Sequence, residues 1–288
     1  MAESEETNFS FPLFDVGPEG AAFRLDNEVD EIQREHWAQY RDSNLSYQAE
    51  LFAVTHGTIV PNGNHAVLLI LDFHFAGSIQ DGRRFKHVEL TVAFGQKDRP
   101  IGQKPDPIVK QMAPVGTFGL DTTKESVEHV AEGNANVSAG PSLATVGIGG
   151  RYQKTTTVDH MRHAMLHGYR WIHKRNRGTQ NAAVWKLDEN HASKNGVPPQ
   201  LRAAILIEVP QDCGPFKAEL TVKANVDALY AIGRAVRSTT HIAPVYFDKK
   251  DGQWPDFGPS LKDITTNNLT GCDLESIGAA KTPVILTN

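Results

Sequence analysis

The chain has 288 residues, of which 40% are hydrophobic and 22% charged, and a formal net charge of −5. This composition excludes a disordered or collagen-like chain and supplies enough apolar sequence to bury a core without covalent staples. Cys213 and Cys272, the two cysteines, cannot build a disulfide framework and read as reduced thiols, and the slightly acidic balance speaks against a dedicated nucleic-acid binder.

Residues 1–12 read as a disordered polar tail ahead of a single β-rich domain over 13–288. The tail has no basic start followed by an apolar core, so no secretory signal is expected and the protein is placed in the cytoplasm. The longest apolar run, Ala66 to Leu71, falls far short of the roughly 18 residues of a membrane-spanning helix, so no transmembrane segment is expected. The Asn-X-Ser/Thr sequences at Asn8, Asn44, Asn136 and Asn268 are then chance matches to the glycosylation pattern. Phe11 to Phe14 forms a short anchor before the Gly17-Pro18 turn, and Asn27 to Tyr40 predicts one weakly amphipathic helix.

From Ala49 the period changes to two. After the Pro61-Asn62-Gly63-Asn64 turn, Val67, Leu69, Leu71, Phe73 and Phe75 fall on one face, and Ala66, Leu68, Ile70, Asp72 and His74 on the other. This predicts a strand buried on both faces at its start and on one at its end. Val88, Leu90, Val92 and Phe94 alternate in the same way beyond Asp81-Gly82, so the two segments are expected to pair as an antiparallel hairpin. Residues 96–127 carry Pro100, Pro105, Pro107 and Pro114 and read as a long connection and a possible domain sub-boundary.

Between Val127 and Thr157 the alternation continues with small side chains. Val130, Glu132, Asn134, Asn136 and Ser138 alternate with Ala131, Gly133, Ala135, Val137 and Ala139. After Gly140-Pro141, Ala144, Val146, Ile148 and Gly150 alternate with Thr145, Gly147 and Gly149. Two strands joined by a turn are expected. In the next strand His163, Met165, His167, Tyr169, Trp171 and His173 share one face, and Arg162, Ala164, Leu166, Gly168, Arg170 and Ile172 the other. Ala183, Trp185 and Leu187 form a short strand, Leu201 to Val209 a continuously apolar one, and Phe216 to Val226 an alternating one. Ala228 to Val236 predicts a helical turn, and 238–288 is loop-rich with Phe247, Trp254 and Phe257 as anchors. About nine strands and one or two short helices predict a mainly β fold, an antiparallel β-sandwich or a strongly curved sheet.

Little in this pattern carries chemistry. His160, His163 and His167 would share a helical face as metal ligands, but on a strand His163 and His167 stand about 13 Å apart, too far to share an ion. No metal and no cofactor is therefore expected. Gly116-Thr-Phe-Gly and Gly147-Ile-Gly-Gly match neither a nucleophile elbow nor a phosphate-binding loop, and nothing near Cys213 activates its thiol.

Two segments read as structural anchors: Asn181-Ala-Ala-Val-Trp185 running on to Asn190 and Gly196-Val-Pro198, and Pro244-Val-Tyr-Phe247-Asp248. With Phe11-Pro-Leu-Phe-Asp-Val-Gly-Pro18 these resemble a group of uncharacterised proteins from filamentous fungi, with the similarity spread over most of the chain. The resemblance implies a fungal, intracellular, β-rich protein. The group has no assigned activity, so no catalytic residue carries over.

Charge supplies the remaining functional signal. Residues 1–50 hold 12 acidic and 3 basic side chains, whereas 151–177 hold 7 basic and 1 acidic. The plainer reading of 151–177, ranked above a partner site, is a solvated strand face turned toward the acidic N-terminal region. The leading functional expectation is a non-catalytic module that binds a protein or an anionic surface through Arg151, Tyr152, Arg162, Tyr169, Arg170, Trp171, Lys174 and Arg175. A membrane-inserting variant would use the hairpin 127–157. An isomerase- or hydrolase-like enzyme would use His74, His163, His167 or Asp72 as general acid or base.

Overall fold

The computed structural model describes residues 31–41, 45–77, 84–103, 105–134, 151–226, 242–259, 261 and 264–281. Twelve strands arise among them: β1 (His36–Arg41), β2 (Leu45–Thr58), β3 (His65–Gly77), β4 (Phe85–Gln96), β5 (Ile108–Ala113), β6 (Gly116–Asn134), β7 (Arg151–Trp171), β8 (Ala182–Asp188), β9 (Gln200–Glu208), β10 (Phe216–Val226), β11 (Val245–Phe247) and β12 (Ala279–Lys281). The first sheet runs β1-β2-β3-β9-β12, with β5 also on β9; the second runs β11-β10-β4-β8-β7-β6. Every pairing is antiparallel. The fold is mainly β, with two layered sheets, as the alternation predicts.

The period of two builds the core directly. Val67, Leu69, Leu71 and Phe73 of β3 and Leu201, Ala203, Ile205 and Ile207 of β9 meet Val88, Leu90, Val92 and Phe94 of β4, Trp185 of β8 and Phe216 of β10 in one buried cluster. The opposite face of the first sheet, Ala66, Leu68, Ala204 and Leu206, is covered in turn by Leu269 and Leu274 from the C-terminal segment. That second layer explains why β3 and β9 read as continuously apolar rather than alternating. It is held by Thr58, whose N–H donates to the Thr266 carbonyl at 2.8 Å and whose hydroxyl donates to Asn267 at 2.9 Å. A Cβ on Gly57 would lie 2.0 Å from the Thr266 carbonyl oxygen. Gly57→Ala should therefore push the covering segment away and cost about 1–3 kcal/mol, measured by urea unfolding.

Several expectations are corrected. The Asn27–Tyr40 helix does not form over its described part; His36–Arg41 is a strand on β2, with a register shift between His36 and Ala38 that lets both Trp37 and Ala38 be buried. The segments β3 and β4 are not a hairpin. The first pairs with β2 and β9, the second with β10 and β8, so the chain crosses between sheets there. Residues 96–127 are not one long connection, because β5 and the start of β6 lie within them, one in each sheet. The helical turn expected at Ala228–Val236 and the turn at Gly140-Pro141 lie outside the described residues. Leu269–Gly271, a single 3-10 turn, is the helical element among the described residues.

Candidate functional site

The two longest strands are neighbours. β6 has 19 residues and β7 has 21, and they pair from Gly116↔Gly168 out to Asn134↔Arg151. β8 covers β7 only over Met165–Trp171, so beyond that point the described pair runs on as a two-stranded ribbon. β6 is the edge strand of its sheet.

The ribbon is rooted in the core. Phe118 and Leu120 of β6 pack on the main cluster together with buried Leu166 of β7. Gly168 of β7 permits a close approach: a Cβ there would lie 2.2 Å from the Pro114 carbonyl oxygen and 3.0 Å from Trp185 Cδ1. That same carbonyl accepts the Trp185 indole N–H at 3.0 Å. Gly168 thus lets the β5–β6 corner sit directly over the Trp185 ring.

The outer face of the second sheet carries His163, His167, Tyr169, Trp171 and Lys174 of the expected site residues. His167 is exposed and its Nδ1 lies 2.7 Å from the Thr117 hydroxyl. Its ring is 5.1 Å from Tyr169, which meets Trp171 edge-on at 6.1 Å. Trp171 is 56% exposed. Lys186 sits over the Tyr169 ring at 5.9 Å and pairs with Glu89, as does Lys223. Burial alone would raise the Glu89 carboxyl, but the hydrogen bonds from Lys223 and Lys186 outweigh it and hold it below its ordinary value. His163 lies half-buried beside Gly119, and Lys174 is exposed, 3.3 Å from Glu219.

Other expected residues stand elsewhere. Arg162 is exposed at the base of the ribbon, and Arg151 and Tyr152 pair through the backbone with Asn134 and Gly133 at its described end. Arg170 is exposed and donates to the Lys110 carbonyl at 2.7 Å, beside an open cleft of about 380 Å³ between β5 and β7. The Arg175 guanidinium is turned inward. Its side chain is 7% exposed, lies 3.5 Å from fully buried Asp106, and donates to the Thr179 carbonyl. It braces the loop after β7, together with Asn181, whose side chain contacts Asp106 and the Phe94 carbonyl.

Asp72 and His74 belong to the first sheet. Asp72 is buried and held in two bonds by the Arg202 guanidinium, at 2.8 and 2.6 Å. Both oxygens of the carboxylate are thereby engaged by one planar guanidinium. Neither residue lines the cleft beside Arg170. Among the described residues no group of three or more His, Cys, Asp or Glu side chains could hold a metal, and no helix is long and apolar enough to cross a membrane.

A polar cluster that sequence reasoning missed lies where β2 ends and β3 begins. His56 Nδ1 is 3.1 Å from His65 Nε2, and His56 Nε2 is 3.1 Å from Gln33 Nε2. The two imidazoles are nearly coplanar, 5° apart, with centroids 5.3 Å apart. That spacing fits an in-line hydrogen-bonded pair rather than a stack. Trp254 roofs both rings, at 5.3 and 4.6 Å. The available sequence signal was the position of both histidines on either side of the Pro61-Asn62-Gly63-Asn64 turn, which brings them to one end of a hairpin.

No family model matches the chain, and no curated protein matches its sequence. Among solved structures, it is similar to the Clostridium perfringens NetB toxin in its membrane-inserted form, with 8% identity and a TM-score of 0.30 over 75% of this chain and 91% of that one. It is also similar to a structure described as a pore-forming protein, with 9% identity and a TM-score of 0.29 over 80% of this chain and 93% of that one.

Proposed function

We propose that the chain is a non-catalytic membrane-engaging protein that docks on an anionic lipid surface and inserts its β6–β7 ribbon into the bilayer. The observation that carries the reading is the ribbon itself. Strands of 19 and 21 residues exceed what their sheet uses, because β8 pairs with β7 over only seven positions. A lone two-stranded ribbon is marginal in water, and a long unpaired edge invites another strand. A tilted membrane-spanning strand needs about 9–11 residues. In lipid every backbone polar group must be paired, so such strands span only as a closed barrel. Several copies, each lending two strands, would satisfy that need. The alternation of Ala131, Gly133, Ala135, Val137 and Ala139 with Val130, Glu132, Asn134, Asn136 and Ser138 has the period such a strand requires, one side for lipid and one for water.

Docking without insertion is a second reading, favoured by the exposure of Trp171. An indole with one wet edge suits the lipid headgroup layer, and the segment 151–177 around it is basic. Trp171→Ala should weaken binding to phosphatidylserine-containing liposomes by roughly tenfold, the loss of about 1.5 kcal/mol of ring burial. Its melting temperature should stay unchanged because the ring is exposed.

Co-sedimentation of the full chain with phosphatidylserine–phosphatidylcholine liposomes, together with release of a trapped dye, tests both readings. Binding with release supports insertion, and binding without release leaves docking alone. The absence of both binding and release would refute the membrane assignment.

A further inference from the structure

We propose that Gln33, His56 and His65, roofed by Trp254, form an acid-sensitive clasp that ties the segment 245–257 to the first sheet and opens when its imidazoles are protonated. The inference is independent of the membrane reading.

Hydrogen-bond geometry fixes the protons. The Gln33 side-chain nitrogen lies 2.6 Å from the Pro255 carbonyl oxygen, so that atom must be the NH₂ group and must donate. The same NH₂ lies 3.1 Å from His56 Nε2, which must therefore accept. A neutral His56 then carries its proton on Nδ1 and donates to His65 Nε2 at 3.1 Å. His65 in turn carries its proton on its own Nδ1. One orientation of one amide thus sets both tautomers. A proton added to His56 Nε2 would face the Gln33 NH₂, and one added to His65 Nε2 would face the His56 N–H. Neither imidazole can be protonated in place without losing a hydrogen bond.

What the clasp holds is a link between the two sheets. β11 belongs to the second sheet through β10, with Phe247 stacked on Phe216 at 4.7 Å. A few residues later Phe257 pairs with Val54 of β2 in the first sheet through two backbone bonds, of 2.9 and 3.0 Å. Gln33 adds a backbone bond to the Tyr246 carbonyl at 2.9 Å, and the His56 N–H donates to the Asp256 carboxylate at 2.8 Å. The charged groups facing the cluster are Asp256 and Lys249, both on this segment; Glu208 of neighbouring β9 stands opposite Ala66, on the other face of the sheet from His65. Lys249 lies over the Trp254 ring at 5.9 Å. Glu208 is held by Asn64 at 2.6 Å and by Lys110 at 2.9 Å.

Titration follows the same direction. Burial, with His65 adding to it, lowers His56 to about 3. Burial, with the Lys249 charge adding to it, lowers His65 to about 4. Imidazoles freed from the clasp titrate near 6.5. The open state therefore binds more protons than the closed one. Closure is fully favoured above pH 6.5 and is lost as pH falls from there toward 4, by at most about tenfold per pH unit for each histidine. Both rings are partly exposed, so solvent screening reduces the effect.

The test is amide hydrogen exchange on the full chain at pH 7.5 and 5.0, corrected for intrinsic exchange. The amides of Val54, His56 and Phe257 should lose protection by roughly 10- to 100-fold at pH 5.0, while those of β9 keep theirs. His65→Gln retains an acceptor without a titrating group, and should reduce the change to less than about tenfold. Nitrogen-15 spectra of the wild-type imidazoles provide a check that needs no variant. Both histidines should carry their proton on Nδ1 at pH 7.5. Equal protection at the two pH values, a proton on Nε2 of either ring, or titration of either near 6.5 would overturn the clasp.

Discussion

Val137→Arg should abolish dye release from anionic liposomes, while Asn136→Arg, one residue away, should leave it within about threefold of wild type. Both positions lie between Asn134 and Arg151, the described ends of the ribbon. Consecutive residues of an extended strand point to opposite sides, so in an inserted strand one of these two meets lipid and the other the lumen. Val137 belongs to the small and apolar set with Ala135 and Ala139, and Asn136 to the polar set with Asn134 and Ser138. An arginine facing lipid near the bilayer midplane costs about 2–4 kcal/mol per strand. The lower figure alone slows insertion roughly thirtyfold, and a barrel of several copies meets the cost in each. An arginine facing the lumen stays hydrated. Both variants should still co-sediment with liposomes, since the Trp171 face is untouched. Equal loss in both would mean that added charge in this segment, rather than its orientation, matters. Equal retention would mean that the segment does not enter lipid.

The parts of the fold that were legible are those where burial acts on one strand alone. Val88 and Leu90 of β4 and Val222 and Ala224 of β10 face the core, while Glu89 and Lys223 between them face water and pair across the strands. Such alternation needs no knowledge of the partner strand. Choice of partner is a different matter. β3 and β4 each present a core face, and nothing in either sequence says that the two faces oppose one another across the sandwich instead of lying side by side in one sheet. Tight anchoring also hides a strand, as at β1, where a bulge places both Trp37 and Ala38 inside and destroys the period. For the site, the row His167, Tyr169 and Trp171 follows from period two alone. The inward turn of Arg175 does not. It depends on Asp106, 69 positions earlier in the chain, being buried opposite it. The Gln33–His56–His65 cluster likewise depends on a loop 222 residues from Gln33 that supplies the Pro255 carbonyl.

Trp185→Ala should be the most destabilising single substitution among these, by about 3–5 kcal/mol. Trp185 is fully buried and among the largest such side chains in the core. Truncation removes the ring that fills the space beneath Gly168, where β7 can add nothing because it has no side chain there. It also leaves the Pro114 carbonyl without its 3.0 Å donor. A buried acceptor so orphaned costs about 1–3 kcal/mol, part of which overlaps the cavity cost because the two losses share one site. At 2–4 °C per kcal/mol for chains of this size, a fall in melting temperature of about 10 °C is expected. Trp185→Phe separates the contributions. It keeps most of the packing and loses only the N–H, so its cost should be less than half that of the alanine variant. Since Pro114 leads directly into β6, both substitutions loosen the base of the ribbon. Hydrogen exchange at Gly116–Leu120 should therefore rise in Trp185→Phe even at temperatures well below its unfolding. An alanine variant that loses less than about 1 kcal/mol in urea unfolding would show that the ring does not pin the ribbon to the core.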